Sequence, residues 1–268
     1  MKISAVIIAG NEEAKIAEAI ESVSFADEVL VVDSDSVDGT AAISRQLGAR
    51  VIVKPWMGFS KQKQFAVESA EHDWILSIDA DERVSAALRS EIEAIRTSKE
   101  TEVAAFRIPR LSFYLDRPIR HSGWYPDRQI RLFDRRKASW NDREIHESVE
   151  TAGPVNNLTG DLLHYSVDNP SHHHRMIGER YAPFSALMAY ESGQRGSIAK
   201  VVFSPISTFV RNFILKVGFL DGLPGFAVCW FSAHHAFLKN LILWELTNGF
   251  RRTEDLRVSS QSSRSPND

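Results

Sequence analysis

Four short apolar runs alternate with helical patterns over the first hundred residues: 4–9 (SAVIIA), 28–33 (EVLVVD), 50–53 (RVIV) and 74–79 (WILSID). Continuous apolar residues, rather than every second one, are what a strand buried on both faces requires. Between them 11–23, 39–47 and 61–69 read as helices, with Ile16, Ala19, Ile20 and Val23 on one side of the first, and a further helix follows at 84–97. The alternation predicts an α/β fold with a mainly parallel, Rossmann-like sheet and flanking helices. In such sheets ligands collect beyond the carboxyl ends of the strands. Asn11 with Glu12, Asp33, and Asp79-Ala80-Asp81 all fall at that edge.

The later chain has a different character. Residues 103–108 and 128–133 continue the strand pattern around an arginine-rich stretch that includes Trp124 and Tyr125. After Asn169 the pattern turns helical: 172–190, a break at SGQRGS, then Ile206, Phe209, Val210, Phe213, Ile214, Val217 and Leu220 at helical spacing among Lys200, Arg211 and Lys216. A DGLPG turn leads into a second apolar helix carrying Trp230, Phe231, Phe237 and Trp244. Neither stretch offers the ~20 charge-free residues of a spanning helix. Aromatics on one side with basic flanks predict helices lying in a bilayer interface, peripheral to the membrane. A helical hairpin packed on the rest of the protein, or at a dimer contact, is the other reading. His172, His173 and His174 stand at a helix start and point different ways, which predicts a solvated face. Residues 251–268 lack apolar content and are expected to be disordered.

Composition narrows the function classes. Thirty-two basic residues against thirty-five acidic give a net charge of −3, so no basic field calls for a nucleic-acid partner. One cysteine, Cys229, excludes a disulfide framework. The amino-terminal apolar run turns acidic at once, unlike a signal peptide, so the expected place is the cytoplasm or the cytoplasmic face of the inner membrane.

Two carboxylates one residue apart at a strand end can face a hard divalent cation and bridge it to a diphosphate. Asp79 and Asp81 have that spacing. Asp33, ending the second strand, suits hydrogen bonds from the base or ribose of a nucleotide, while Ser36 or Asp38 suits capping of the next helix. Neither GxGxxG after the first strand nor GxxxxGK[ST] anywhere is present, which removes the dinucleotide fingerprint and the P-loop. A nucleotide diphosphate held through a cation remains.

The runs AVIIAGNEEAKIAEAIESV, EVLVVDSDSVDGT and WILSIDADE resemble a family 2 glycosyltransferase of the GT-A fold. RQIRLFDRR, IHESVE, LLHYS and the pattern from PISTFVRNF to HHAFLKN resemble the lipopolysaccharide-core β-1,4-glucosyltransferase group. Asp35 stands where that family usually has glycine. The resemblance implies a metal-dependent, inverting transfer of a hexose, glucose from UDP-glucose, onto a lipid-linked glycan acceptor such as the lipopolysaccharide inner core. It implies that Ala9, Asn11, Glu12 and Asp33 line the nucleotide pocket and that Asp81, with Asp79 near it, binds Mn²⁺ or Mg²⁺ and the donor diphosphate. His164 matches a position that supplies a further metal ligand in some relatives; a hydrogen-bonded core histidine is the alternative. Glu147 is the candidate base, with Asp142 and Glu144 as rivals, and His146 would orient the acceptor. Arg128 and Arg131 would meet phosphates of donor or acceptor, or else form surface ion pairs with Asp127 and Asp134. Trp124 and Tyr125 would stack on a sugar or serve as buried structure. The division implied is a catalytic domain at 1–168 (nucleotide-sugar half 1–100, acceptor half 101–168), a membrane-associated helical region at 169–250, and the tail. The competing functions are a polyprenyl-phosphate glycosyltransferase, a sugar nucleotidyltransferase and a non-enzymatic nucleotide-binding membrane module.

Overall fold

The computed structural model describes residues 1–97, 102–142 and 147–256. The chain forms two compact units. Met1–Leu111 and Asp127–His164 make the first; Ser112–Pro126 and the chain from Tyr165 onward make the second. The second unit thus borrows a loop from the middle of the first, which a linear cut at residue 168 does not express.

The first unit opens with β1 (Ile3–Ala9), α1 (Ile16–Ser22), β2 (Glu28–Asp33), α2 (Thr40–Gln46), β3 (Arg50–Val53), α3 (Phe59–Ser69) and β4 (Trp74–Asp79). The four strands are parallel in the order β3-β2-β1-β4. β1 is buried at every position, as its unbroken apolar run requires. Ile3, Ala5 and Ile7 face Ile16, Ala19 and Ile20 of α1, while Val6 and Ile8 face Ala66 and Val67 of α3. The first helix begins at Ile16 rather than at 11. Asn11 takes φ +52°, a left-handed conformation that asparagine tolerates and a helix does not.

The unit continues with β5 (Glu82–Val84), α4 (Ala86–Thr97) and β6 (Ala105–Tyr114), whose last residues run on into the second unit with β7 (Arg117–Pro118). β8 (Asp127–Asp134), β9 (Ala138–Trp140), β10 (Val149–Thr151), β11 (Val155–Asn157) and β12 (Leu162–His164) complete it. β8 lies antiparallel to both β4 and β6, and β12 and β5 extend that side; β9 and β10 form a separate ribbon. The sheet is therefore mixed, with its parallel strands at one side. Local pattern gives a helix from 84, but Glu82–Val84 is strand because it pairs with β12, placing His164 opposite Glu82. In β8 the register against β6 slips: Phe106 faces Leu132 and Arg107 faces Ile130, so Arg131 is the extra residue of a bulge. A bulge re-aims the side chain at its apex.

In the second unit α5 (Pro170–Arg175) runs through a π-helical turn, Met176–Tyr181, into α6 (Ala182–Glu191). Asn169 caps α5, its side chain accepting from the His172 backbone N–H. α7 (Ile198–Val210) and α8 (Gly222–Thr247) follow. Ala182, Ala186 and Leu187 pack on Ile242, Leu243 and Leu246. Leu256 is buried in the same cluster and residues 253–256 are helical, so the expectation of a disordered tail fails for 251–256; residues 257–268 lie outside the described ones. The turn before α8 is tight: a Cβ on Gly225 would stand 2.1 Å from the Gly218 carbonyl oxygen. The solvated triple-histidine face is also corrected. His173 is buried among Tyr114, Trp124 and Phe231, and burial with its neighbours His172 and His234 pushes its pKa down to about 4. Trp124 accordingly packs as structure within this unit.

The stretch Ile198–Leu215 is, by length and composition, long and apolar enough to cross a membrane, which corrects the expectation that neither apolar stretch is. Only 6% of it is buried. Leu215, Leu223 and Phe203 are 74%, 73% and 66% exposed, and Phe209, Phe213, Phe226 and Trp230 form a cluster of ring contacts beside them.

Candidate active site

Asp33 and Asp79 end the strands on either side of β1, paired with Ala9 and Ile8 respectively. Adjacent strands are about 4.8 Å apart, so both carboxylates stand on one rim. Three sequence-predicted residues gather at its β1–β2 end. The Ser34 N–H donates to the Ala9 carbonyl, the Asn11 N–H to Ser36 Oγ, and the Ser36 N–H to Asp33 Oδ2 at 3.0 Å. Glu12 joins them, its N–H donating to Thr40 Oγ1. Asp35 takes φ +56°, so aspartate adopts the left-handed turn that the family's glycine would supply. The N-cap of α2 is Gly39, without a side-chain cap; Asp38 just before it accepts from the Thr40 N–H at 3.0 Å and the Glu13 N–H at 3.1 Å.

Asp33 is 1% exposed, yet its Oδ1 has no hydrogen-bond partner. A buried acceptor left unmade costs about 1–3 kcal/mol. Gln62, fully buried on α3, donates to Ser34 Oγ and the Lys54 carbonyl and braces this corner.

At the β4 end the acidic triplet is divided by its partners. Asp79 is held inside the protein: Lys63 Nζ lies 2.9 Å from Oδ1, and Arg131 Nη2 2.9 Å from Oδ2. Burial would raise the Asp79 pKa, but the charges of Lys63 and Arg131 outweigh it and hold the carboxyl well below its usual range. Asp81 faces His164 instead, Oδ2 to Nε2 at 3.4 Å. Here too burial raises the pKa, and the hydrogen bond and charge of His164 more than reverse it. The β5–β12 pairing creates this carboxylate–imidazole pair.

Behind the triplet runs a chain of alternating charges. Asp127 accepts from Arg110 at 2.6 Å; Arg110 approaches Glu82 at 3.5 Å; Glu82 accepts from Arg131 at 2.6 Å; Arg131 reaches Asp79, Asp79 reaches Lys63, and Lys63 Nζ stands 3.7 Å from Glu147 Oε1. Glu82 is fully buried and also accepts the Asp79 backbone N–H. Burial lowers the Arg131 pKa, but Glu82 and Asp79 together raise it above its ordinary value. Sequence reasoning missed Lys63, Glu82 and Arg110. Their signal was available only as charged residues inside otherwise apolar patterns, Lys63 on α3 above all.

Glu147 is thus brought to the triplet. Asp142 is exposed and lines a cleft of about 360 Å³ with Lys61, Phe65 and Trp140. Glu144 and His146 lie outside the described residues. Arg128 and Arg131 part company: Arg131 turns inward at the bulge, whereas Arg128 is exposed and donates to the Leu158 carbonyl at 2.9 Å. The alternative pairing with Asp127 and Asp134 is not formed by either. Asp127 pairs with Arg110 and Asp134 with Arg136.

The family description "Glycosyl transferase family 2" matches residues 4–152, more than half of the chain and nearly all of the first unit. This chain belongs to glycosyltransferase family 2. Relatives extend the likeness across the second unit. An uncharacterised glycosyltransferase of Rickettsia typhi is 35% identical over 92% of this chain and 88% of its own length. The lipopolysaccharide core biosynthesis glycosyltransferase LpsC of Rhizobium meliloti is 32% identical over 89% of this chain and 90% of its own. Among solved structures, glucosyl-3-phosphoglycerate synthase of Mycobacterium tuberculosis is 27% identical over 42% of this chain and 44% of that one, with a TM-score of 0.34. The chain spans less than half of that protein, and so loose a superposition carries no functional weight.

Proposed function

We propose that this glycosyltransferase moves a hexose, glucose from UDP-glucose, onto a lipid-linked glycan of the lipopolysaccharide inner core, with inversion and with a divalent cation. The Asp81–His164 pair carries the reading. An oxygen and an imidazole nitrogen are a donor set that suits Mn²⁺ better than Mg²⁺. Among the described residues no group of three such ligands assembles. A protein that supplies two ligands leaves the other positions to diphosphate oxygens and water, as cations bound together with a nucleotide require. When bound, the ion offsets the charge that grows on the departing diphosphate.

The chain's own residues do the rest. Asn11, Glu12 and the Ala9 backbone shape the nucleotide pocket, and Asp33 Oδ1 accepts from the base or ribose. Arg131 serves through Asp79, while Arg128 keeps outward donors for a phosphate of donor or acceptor. The acceptor hydroxyl oxygen attacks the anomeric carbon as the bond to the diphosphate breaks, and Glu147 takes the hydroxyl proton. The exposed apolar side chains of α7 and the start of α8, with Lys200, Arg211 and Lys216 among them, suit the interface of an anionic membrane. That would bring a soluble donor and a lipid-linked acceptor to the cytoplasmic face of the inner membrane.

Release of UDP by the purified protein tests this, using several UDP-sugars against purified core oligosaccharide, with and without Mn²⁺. Glucose-specific release that stops with EDTA is the expected result. Release only with undecaprenyl phosphate would replace the acceptor, and release undiminished by EDTA would remove the cation.

A further inference from the structure

Lys63 is the least expected charge in the first unit. It sits on α3, its side chain is 4% exposed, and its ammonium lies 4.8 Å from the centre of the Trp140 ring. A lysine side chain normally keeps its ammonium in water. Burying it is costly unless the charge is compensated, and here two carboxylates compensate it: Asp79 at 2.9 Å and Glu147 at 3.7 Å.

We propose that Lys63 is a positioning residue of the transfer reaction, holding the Asp79 and Glu147 carboxylates in one geometry through a single buried ammonium. The inference rests on the role of Glu147 as base. The two contacts are unequal in a useful way. At Asp79 the ammonium stands 2.9 Å from Oδ1 as an ionic contact and donates its hydrogen bond to Oδ2 at 3.3 Å, the oxygen that Arg131 also holds, so the carboxylate is pinned through Oδ2. The longer one tethers Glu147 without engaging it fully, so a carboxylate oxygen stays open to the acceptor hydroxyl. Trp140 closes over the ammonium and limits its freedom. Without Lys63, Glu147 loses its ionic partner, and two carboxylates near each other repel. A base displaced by even an ångström can lose about a hundredfold in rate.

The test is a double-mutant cycle of Lys63→Met and Glu147→Gln, read in two ways on the full-length protein. In unfolding by denaturant, the single losses are expected not to add, which reports the contact without reference to catalysis. In UDP release, Lys63→Met is expected to lower kcat about 30- to 100-fold with the donor KM nearly unchanged, and the double variant to be no slower than Glu147→Gln alone. In Lys63→Ala, added ethylammonium is expected to restore part of kcat. Additive effects in both readouts overturn the proposal. So does a raised donor KM at unchanged kcat, which would make Lys63 a ligand of the donor. If Lys63→Met does not fold, the ammonium rescue of Lys63→Ala and the rate of Lys63→Arg decide. Wild-type protein that releases no UDP from any donor would sink the role of Glu147 as base, whereas additive unfolding losses would sink the Lys63 contact itself.

Discussion

The two units handle the wrong kind of residue in opposite ways. The first hides charge: Lys63, Glu82 and Arg131 are buried inside it, each with ionic partners. The second displays grease: only 6% of the apolar stretch Ile198–Leu215 is buried, and Phe203, Ile206 and Leu215 are exposed. Both are expensive arrangements for a protein in water, the first through desolvation and the second through unburied hydrocarbon. A charge network at a strand rim suits a polar ligand, and an uncovered apolar face suits a non-aqueous one.

The contrast can be broken most decisively at the rim. Asp81→Ala is expected to reduce UDP release about 10³-fold while leaving the unfolding transition near that of the wild type. Activity within tenfold of wild type would mean that the rim does not do the chemistry. Arg131→Met leaves Glu82 buried and short of its main cation, and is expected to destabilise the protein by about 3–5 kcal/mol in denaturant melts. The same measurement on Phe203→Ser should move stability by no more than about 0.5 kcal/mol, because that side chain has little packing to lose. Equal losses would erase the distinction between the units.

The apolar face has its own test. The combined change Phe203→Ser, Ile206→Ser and Leu215→Ser should weaken co-sedimentation with anionic vesicles about a hundredfold or more, with UDP release from the donor in the presence of a soluble acceptor retained. Unchanged sedimentation would return this face to a protein partner.

A smaller effect sharpens the picture of buried charge away from the rim. Glu28 is buried, accepts from Ser4 and from the Glu71 N–H, and pairs with Arg50 at 2.5 Å. Burial raises its pKa, but those hydrogen bonds and the Arg50 charge lower it further, to a net value below the ordinary 4.5. A carboxyl with a depressed folded-state pKa contributes stability above its unfolded pKa and loses it as pH falls through the folded one. Glu28→Gln should therefore cost about 1–2 kcal/mol at pH 7, and the gap from wild type should close below pH 4.5. A gap independent of pH would deny the ionic part.

What could be read from the residues follows from how far each interaction reaches along the chain. β2, β3 and β4 match the apolar runs end to end; for β2 and β4 burial on both faces writes itself into consecutive residues, whereas β3 is a half-exposed edge strand. The rim positions of Asp33 and Asp79 followed at once. β5 was not legible, since its strand character comes from β12, some eighty residues away. For the same reason His164 could be suggested by resemblance but not by spacing. Arg128 and Arg131 looked alike in sequence, and the bulge that separates them arises from pairing with β6. Lys63 was passed over because a lysine on a helix is ordinarily solvated, and only the tertiary arrangement of Asp79 and Glu147 makes it otherwise. The buried His173 and Leu256 teach the same lesson in the second unit, where polar neighbours in sequence concealed apolar neighbours in space.

The unpaired residue in β8 has a consequence for how this strand can change. An ordinary strand accepts a paired gain and loss of residues at its ends with little more than a shifted loop. β8 cannot, because its two halves are out of phase and Arg131 is the punctuation between them. Deleting that one position would put Ile130 and Leu132 into a regular ladder and leave Asp79 and Glu82 facing a gap. Length variation in this part of the protein is thereby confined to the hairpin ends, and the tightest constraint on the rim lies in a neighbouring strand.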